Sequence, residues 1–232
     1  MIKFVELLNK NKFSLIVSLP ANDYELAKAA WENGADVIKM HINVHHRASK
    51  NVFGSFEENK ELFERILKDC PVPVGIVAGD GALVAETALD DLAEAGFDFV
   101  SLYVHHTPPK SLLCKDKLAV MGAIDYTYAD KEIETLSSGK YADILEMSIV
   151  HPEGYGQRLC LRDILGYQKN TNMSKIPAVV PTQRFVYPSD CQILMNAGVK
   201  GIMIGAIVTG KEVESLAKTT KAFREAIDQL IK

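Results

Sequence analysis

The side chains in this sequence that could carry chemistry fall on alternate positions of short apolar runs. Lys39, His41 and Asn43 alternate along residues 36–43, and Ser101, Tyr103 and His105 along residues 97–106. Glu146 and Ser148 alternate along 143–150, and Thr182 and Arg184 along 177–184. Ser18, Asp80 and Asp125 sit near the ends of three further runs. Strand side chains point alternately to opposite faces, so each set shares one face of its strand. An amine or imidazole opposite a carboxylate can move a proton next to a carbonyl, provided their surroundings separate their acidities. In this reading Lys39 and His41 serve as base or electrophile, with Glu146 or Asp125 as the partner acid–base group. Buried charge is costly and tends to collect at functional sites. A structural ion pair between Lys39 and Glu146 or Asp125 is the alternative. Arg184 has the fork geometry that grips a phosphate. Gly205 and Ala206 allow close backbone approach to one, and Ser18 and His105 add donors for a substrate.

The remaining histidines, His45, His46, His106 and His151, also follow strand ends. A metal site needs three or four ligands within ~2.0–2.2 Å of one ion. His41 and His105 with an acidic residue could supply them, which makes a metal-dependent enzyme the second reading. No H-e-x-x-H-type ligand motif occurs, and the site residues assigned include no metal ligand. The segment Gly205–Glu212 approaches a nucleotide-binding P-loop but ends in Glu212, where that loop needs a hydroxyl. Thr209 with Glu212 reads instead as a capping box for the last helix. The loop 45–56 carries Arg47 and Lys50 and could form a lid over an anionic ligand.

These residues need a scaffold that gathers strand ends. Eight apolar runs, at residues 13–20, 36–43, 72–80, 97–106, 117–125, 143–150, 177–184 and 201–208, alternate with stretches of helical period. Ala27, Ala30 and Trp31 mark one helix stripe, behind an Asn22–Glu25 capping box. Leu62, Phe63, Ile66 and Leu67 mark another, behind Ser55–Glu58. Such alternation implies parallel strands with right-handed crossovers. The first turn lacks the Gly-rich fingerprint of a dinucleotide-binding open sheet. Gly34-Ala-Asp, Gly96-Phe-Asp, Tyr141-Ala-Asp and Gly198-Val-Lys-Gly recur before alternate strands, as a repeated quarter-barrel would produce. The expectation is a single α/β domain over residues 1–232, a (β/α)8 (TIM) barrel with its site at the carboxyl ends of the strands.

The chain has 232 residues, 47% apolar and 24% charged, with a net charge of −4. That charge argues against a nucleic-acid partner, and no apolar run approaches the ~18 residues of a membrane span. The first twelve residues do not read as a secretion signal. Four scattered cysteines fit reduced thiols in a cytoplasmic protein. No cofactor is called for, and the partner expected is a small phosphorylated substrate, with pairing into a homodimer common among such barrels.

The segment Arg184–Gly210, with an aromatic after Arg184, Pro188, Ala197-Gly198 and Gly205-Ala206-Ile207, resembles the last two βα units of N-acetylmannosamine-6-phosphate 2-epimerases. More broadly it is similar to the ribulose-phosphate-binding barrels. The runs 15–20 and 72–80 sit where that family has similar segments. The resemblance implies a barrel acting on a sugar phosphate by isomerisation, epimerisation or aldol-type cleavage. It also implies a catalytic lysine at the end of the third strand, where this chain has Ala78-Gly79-Asp80, and a glutamate before the arginine, where it has Pro181, Thr182 and Gln183. The proton-transfer pair would then have moved to Lys39 or His41 opposite Asp125 or Glu146. A non-catalytic barrel that binds a phosphate ligand is the third reading.

Overall fold

The computed structural model describes residues 2–231. All eight apolar runs form strands: β1 (Ser14–Ser18), β2 (Val37–His41), β5 (Val74–Val77), β6 (Phe99–Tyr103), β7 (Ala119–Ile124), β8 (Ile144–Met147), β9 (Ala178–Pro181) and β10 (Gly201–Ile204). They pair in parallel in the closed order β1-β10-β9-β8-β7-β6-β5-β2. The chain therefore folds as a (β/α)8 barrel. The remaining strands, β3 (Val44–His45) and β4 (Val52–Phe53), form an antiparallel hairpin after β2.

Outward residues such as Val17, Ile38, Ile76, Val120 and Ile202 pack beneath the surrounding helices. These helices are α2 (Tyr24–Glu32), α3 (Phe56–Asp69), α4 (Ala82–Ala95), α5 (Asp130–Leu136), α6 (Leu161–Met173), α7 (Cys191–Asn196) and α9 (Val213–Leu230). The Ser55–Glu58 capping box forms at α3 as expected. At α2 the cap is Asp23, which accepts from the Leu26 amide, rather than Asn22. Asn22 instead donates to the His41 carbonyl at 2.7 Å. The Thr209–Glu212 box is absent, because residues 206–209 form a separate short helix, α8 (Ala206–Thr209), and Thr209 bonds the Gly210 carbonyl. The eighth strand therefore stops at Ile204 instead of running to 208.

Inward residues split into two zones. The lower zone is apolar: Ile16, Val37, Phe99, Met121, Ile144, Val179 and Met203 fill the barrel. The amino-terminal helix α1 (Lys3–Lys10) closes this end, with Phe4 and Leu8 wholly buried and the Phe4 and Phe99 rings 4.7 Å apart. Asp98 supplies the cap that α1 lacks locally, accepting from the Lys3 and Phe4 amides at 2.9 and 2.8 Å. The repeated aspartates thus have comparable tasks. Asp36 accepts from the Leu15 amide and Asp143 from the Val120 amide, tying each strand to its predecessor, while Asp98 ties down the plug. The upper zone, toward the carboxyl ends of the strands, is polar.

Candidate active site

A cavity of about 490 Å³ opens at the carboxyl ends of the strands. At its floor lie Lys39 from β2 and Glu146 from β8, 6% and 5% exposed. Lys39 Nζ stands 3.4 Å from Glu146 Oε2. Ser101 donates to the same oxygen at 2.8 Å, and Ser148 donates to Oε1 at 3.0 Å. Three donors, from β2, from β6 and from the residue that follows β8, thus fix the carboxylate. That arrangement follows from alternation, since Ser101, Glu146 and Lys39 all point inward one layer above the apolar fill. Tyr103 stands on the same wall, and burial first, then Tyr155 and Glu146, pushes its phenol upward and keeps it protonated.

His41 is one inward position above Lys39. Its ring packs 4.5 Å from His46 and 4.6 Å from Phe53, and Nε2 lies 3.5 Å from Ser18 Oγ. Burial, followed by His46 and Lys39, holds His41 well below the ordinary histidine value. Burial and then Lys39 hold His46 down to about 4. Both are neutral near pH 7, and His41 Nδ1 is buried without a partner among the described residues. Ser18 and Gly205 also line the cavity, and the Gly205 amide is already donated to Thr182 Oγ1 at 3.0 Å. Ala206 lies behind Gly205 as the first residue of α8. Asp125 reaches the rim, where its carboxylate accepts from the Thr127 amide and hydroxyl. His105 is exposed on the rim, past the end of β6 in a 3-10 turn, stacked on Tyr103 and bonded to Tyr128.

Two expected inward residues leave the mouth. Asn43 turns into the hairpin with φ +52°. Arg184 lies outside the cavity, against α6: Nη2 donates to Asp163 Oδ1 at 3.2 Å, Nε sits 3.0 Å from Oδ2, and Nη1 donates to the Gly154 carbonyl. The expectation that places it inward is one residue out of register: Val179 fills the barrel and Val180 packs outward, so alternation turns Arg184 away. Pro181 and Gln183 follow Val179 on the inward face, and Thr182, past the end of β9, also reaches the cavity. Gln183 is a residue that the shifted register misses. It accepts from the Val150 amide and donates to the Ser148 carbonyl and Tyr155 hydroxyl, which holds the loop after β8 against the mouth. Its sequence signal is the period of two that runs from Val179 through Pro181.

The loop expected as a lid folds into the β3–β4 hairpin beside the mouth. The hairpin carries His45, His46 and Arg47 along the cavity wall, and Arg47 reaches over the Tyr155 ring at 5.4 Å. Among the described residues, no group of three or more His, Cys, Asp or Glu side chains converges as a metal site requires. His41 is packed against the hairpin while His105 sits on Tyr128, so the two histidines of the metal reading serve different neighbours. Where the resemblance calls for a lysine, Ala78 is buried in the outer core.

No protein-family model matches the chain, and no curated protein matches it in sequence. Solved structures do match in shape. A thiamine phosphate pyrophosphorylase from Pyrococcus furiosus is similar with a TM-score of 0.64 and 19% identity, over 97% of this chain and 100% of the other. A variant tryptophan synthase α-subunit from the same organism has a TM-score of 0.70 and 15% identity, over 90% and 97%. A protein from Aquifex aeolicus VF5 has a TM-score of 0.67 and 18% identity, over 97% and 96%. At these identities the likeness establishes the barrel fold.

Proposed function

We propose that this barrel is an enzyme that moves a proton next to the carbonyl of a small phosphorylated metabolite, a sugar phosphate by preference. The observation that carries the reading is the buried Lys39–Glu146 pair, 3.4 Å apart on the floor of an open cavity, with both carboxylate oxygens held by serines. A purely structural pair would gain nothing from standing at the base of a cavity, and buried ion pairs are weak sources of stability. Lys39 has donors to spare beyond its contact with Glu146. Its ammonium would hold the carbonyl oxygen and bear the negative charge that develops there. Glu146 would take the proton from the neighbouring carbon and return it. Isomerisation and epimerisation pass through such an enolate, formed by loss of the carbon-bound proton. Aldol-type cleavage forms one instead when the base takes the β-hydroxyl proton and the C–C bond breaks, and the epimerase resemblance favours epimerisation. Neutral His41 and protonated Tyr103 line the route as hydrogen-bond partners, and Asp125 stands ready to relay protons at the rim. Neighbours whose names include a phosphate ester support the substrate class only as analogy.

The test is solvent exchange. Phosphorylated ketoses and N-acyl amino-sugar phosphates are incubated with the protein in D2O and followed by 1H NMR. The reading expects deuterium at the carbon beside the carbonyl for at least one compound. It fails if every compound in the panel keeps its protons.

A further inference from the structure

With Arg184 spent on Asp163, the mouth needs another cation if it is to hold a phosphate. Among the residues lining the cavity only Lys39 and Arg47 carry permanent positive charge. Lys39 is paired with Glu146 at the floor. Imidazoles are not permanent cations near neutrality, and burial keeps His41, His46 and His106 below the usual histidine range. Asp80 and Asp125 also face the mouth, so an anion there requires a full opposing charge. Arg47 is exposed on the β3–β4 hairpin. Among the described residues its guanidinium makes no ion pair, and its neighbour is the Tyr155 ring across the mouth. A cation resting 5.4 Å from a half-exposed aromatic ring is held only weakly. A phosphate offers charge-assisted, two-pronged hydrogen bonds worth more than that.

We propose that Arg47 is the anion anchor of this site, parked on Tyr155 when the mouth is empty and transferred to the phosphate of the substrate when it is filled. The proposal rests on the reading that the cavity takes a phosphorylated ligand. It makes the hairpin both lid and clamp, because the residue that grips the anion lies on the segment covering it. The hairpin is also tied to the floor of the site, since His46 and Phe53 pack on His41, one inward position from Lys39.

The experiment is a titration of the full chain with inorganic phosphate, followed by 31P NMR line broadening at low ionic strength. Loss of charge-assisted hydrogen bonds should weaken phosphate binding roughly tenfold or more in Arg47→Met. Arg47→Lys should fall between, keeping the charge and losing the fork. Arg162→Met, an exposed arginine in the neighbouring cleft between α5 and α6, should change nothing. An unchanged affinity in Arg47→Met, a loss confined to Arg162→Met, or no binding by the parent chain would overturn the proposal. The exchange test separates the two claims: a weakened phosphate site in Arg47→Met without any exchange activity in the parent keeps the anchor and removes the proposed reaction.

Discussion

At the level of single residues, the site is a set of choices about where charge is permitted. Arg184 shows how one side chain can be read correctly in type and wrongly in place. Its guanidinium is half-buried against Asp163, so removing it leaves an acid without its charged partner. Arg184→Met should cost about 1–3 kcal/mol in urea unfolding while leaving phosphate affinity at the mouth unchanged. A stable variant that no longer binds phosphate would put the anion back on Arg184. His46 gives a second prediction. Its folded value, about 4, lies below the 6.5 of a free histidine, so the unfolded chain takes up the proton first. Stability should therefore be complete above pH 6.5 and fall as the pH drops toward 4. His46→Phe should show a shallower decline of the urea midpoint over that range. A parent chain whose midpoint is flat from pH 7 to 4 would refute the burial argument. Lys39, His41, Ser101, Glu146 and Ser148 were legible as inward residues because they lie within or just past regular strands. Gln183 and Arg184 were not, because a reading of β9 with Thr182 and Arg184 inward, in place of Val179, Pro181 and Gln183, is one residue out of register.

At the level of elements, the barrel strands were legible because each is a compact apolar run bounded by turn residues. Helix α1 was not read from its own sequence. Its first residues have no local side-chain cap, and the cap comes from Asp98, far along the chain. Phe4, Leu7 and Leu8 do have helical spacing, but eight residues without a local cap are too few for that pattern to decide a helix alone. The structure makes α1 the floor of the inner core, and Phe4→Ala should cost about 3–5 kcal/mol by emptying the space against Phe99. Calorimetry or urea unfolding would measure it, and a loss below 1 kcal/mol would show that the plug is dispensable. Gly75 belongs to the same layer. A Cβ there would run into the Phe99 ring. Gly75→Ala should therefore destabilise by about 1–3 kcal/mol through overpacking, although alanine is ordinarily the better strand residue. Across the barrel the β3–β4 hairpin was visible only as a polar loop. Its strands are two residues each, too short for any alternation to register.

At the level of the whole molecule, the (β/α)8 fold accounts for why chemistry gathers at one end. The inner zone near the amino ends is filled by large apolar residues and closed by α1, so no ligand can be admitted from below. The upper zone has smaller and polar inward residues, which leaves the 490 Å³ cavity and dictates the face that is open to a ligand. The fold was legible from the repeated βα rhythm, and the reaction was not, since many reactions share this scaffold. Everything proposed about the reaction depends on the Lys39–Glu146 pair acting on a bound carbonyl compound. The most direct measurement compares solvent deuterium incorporation by the parent chain with that by Lys39→Met and Glu146→Gln, each checked for a native melting transition. The account predicts exchange by the parent and a loss of roughly 10²–10⁴-fold in each variant. Folded variants that exchange as fast as the parent would contradict it.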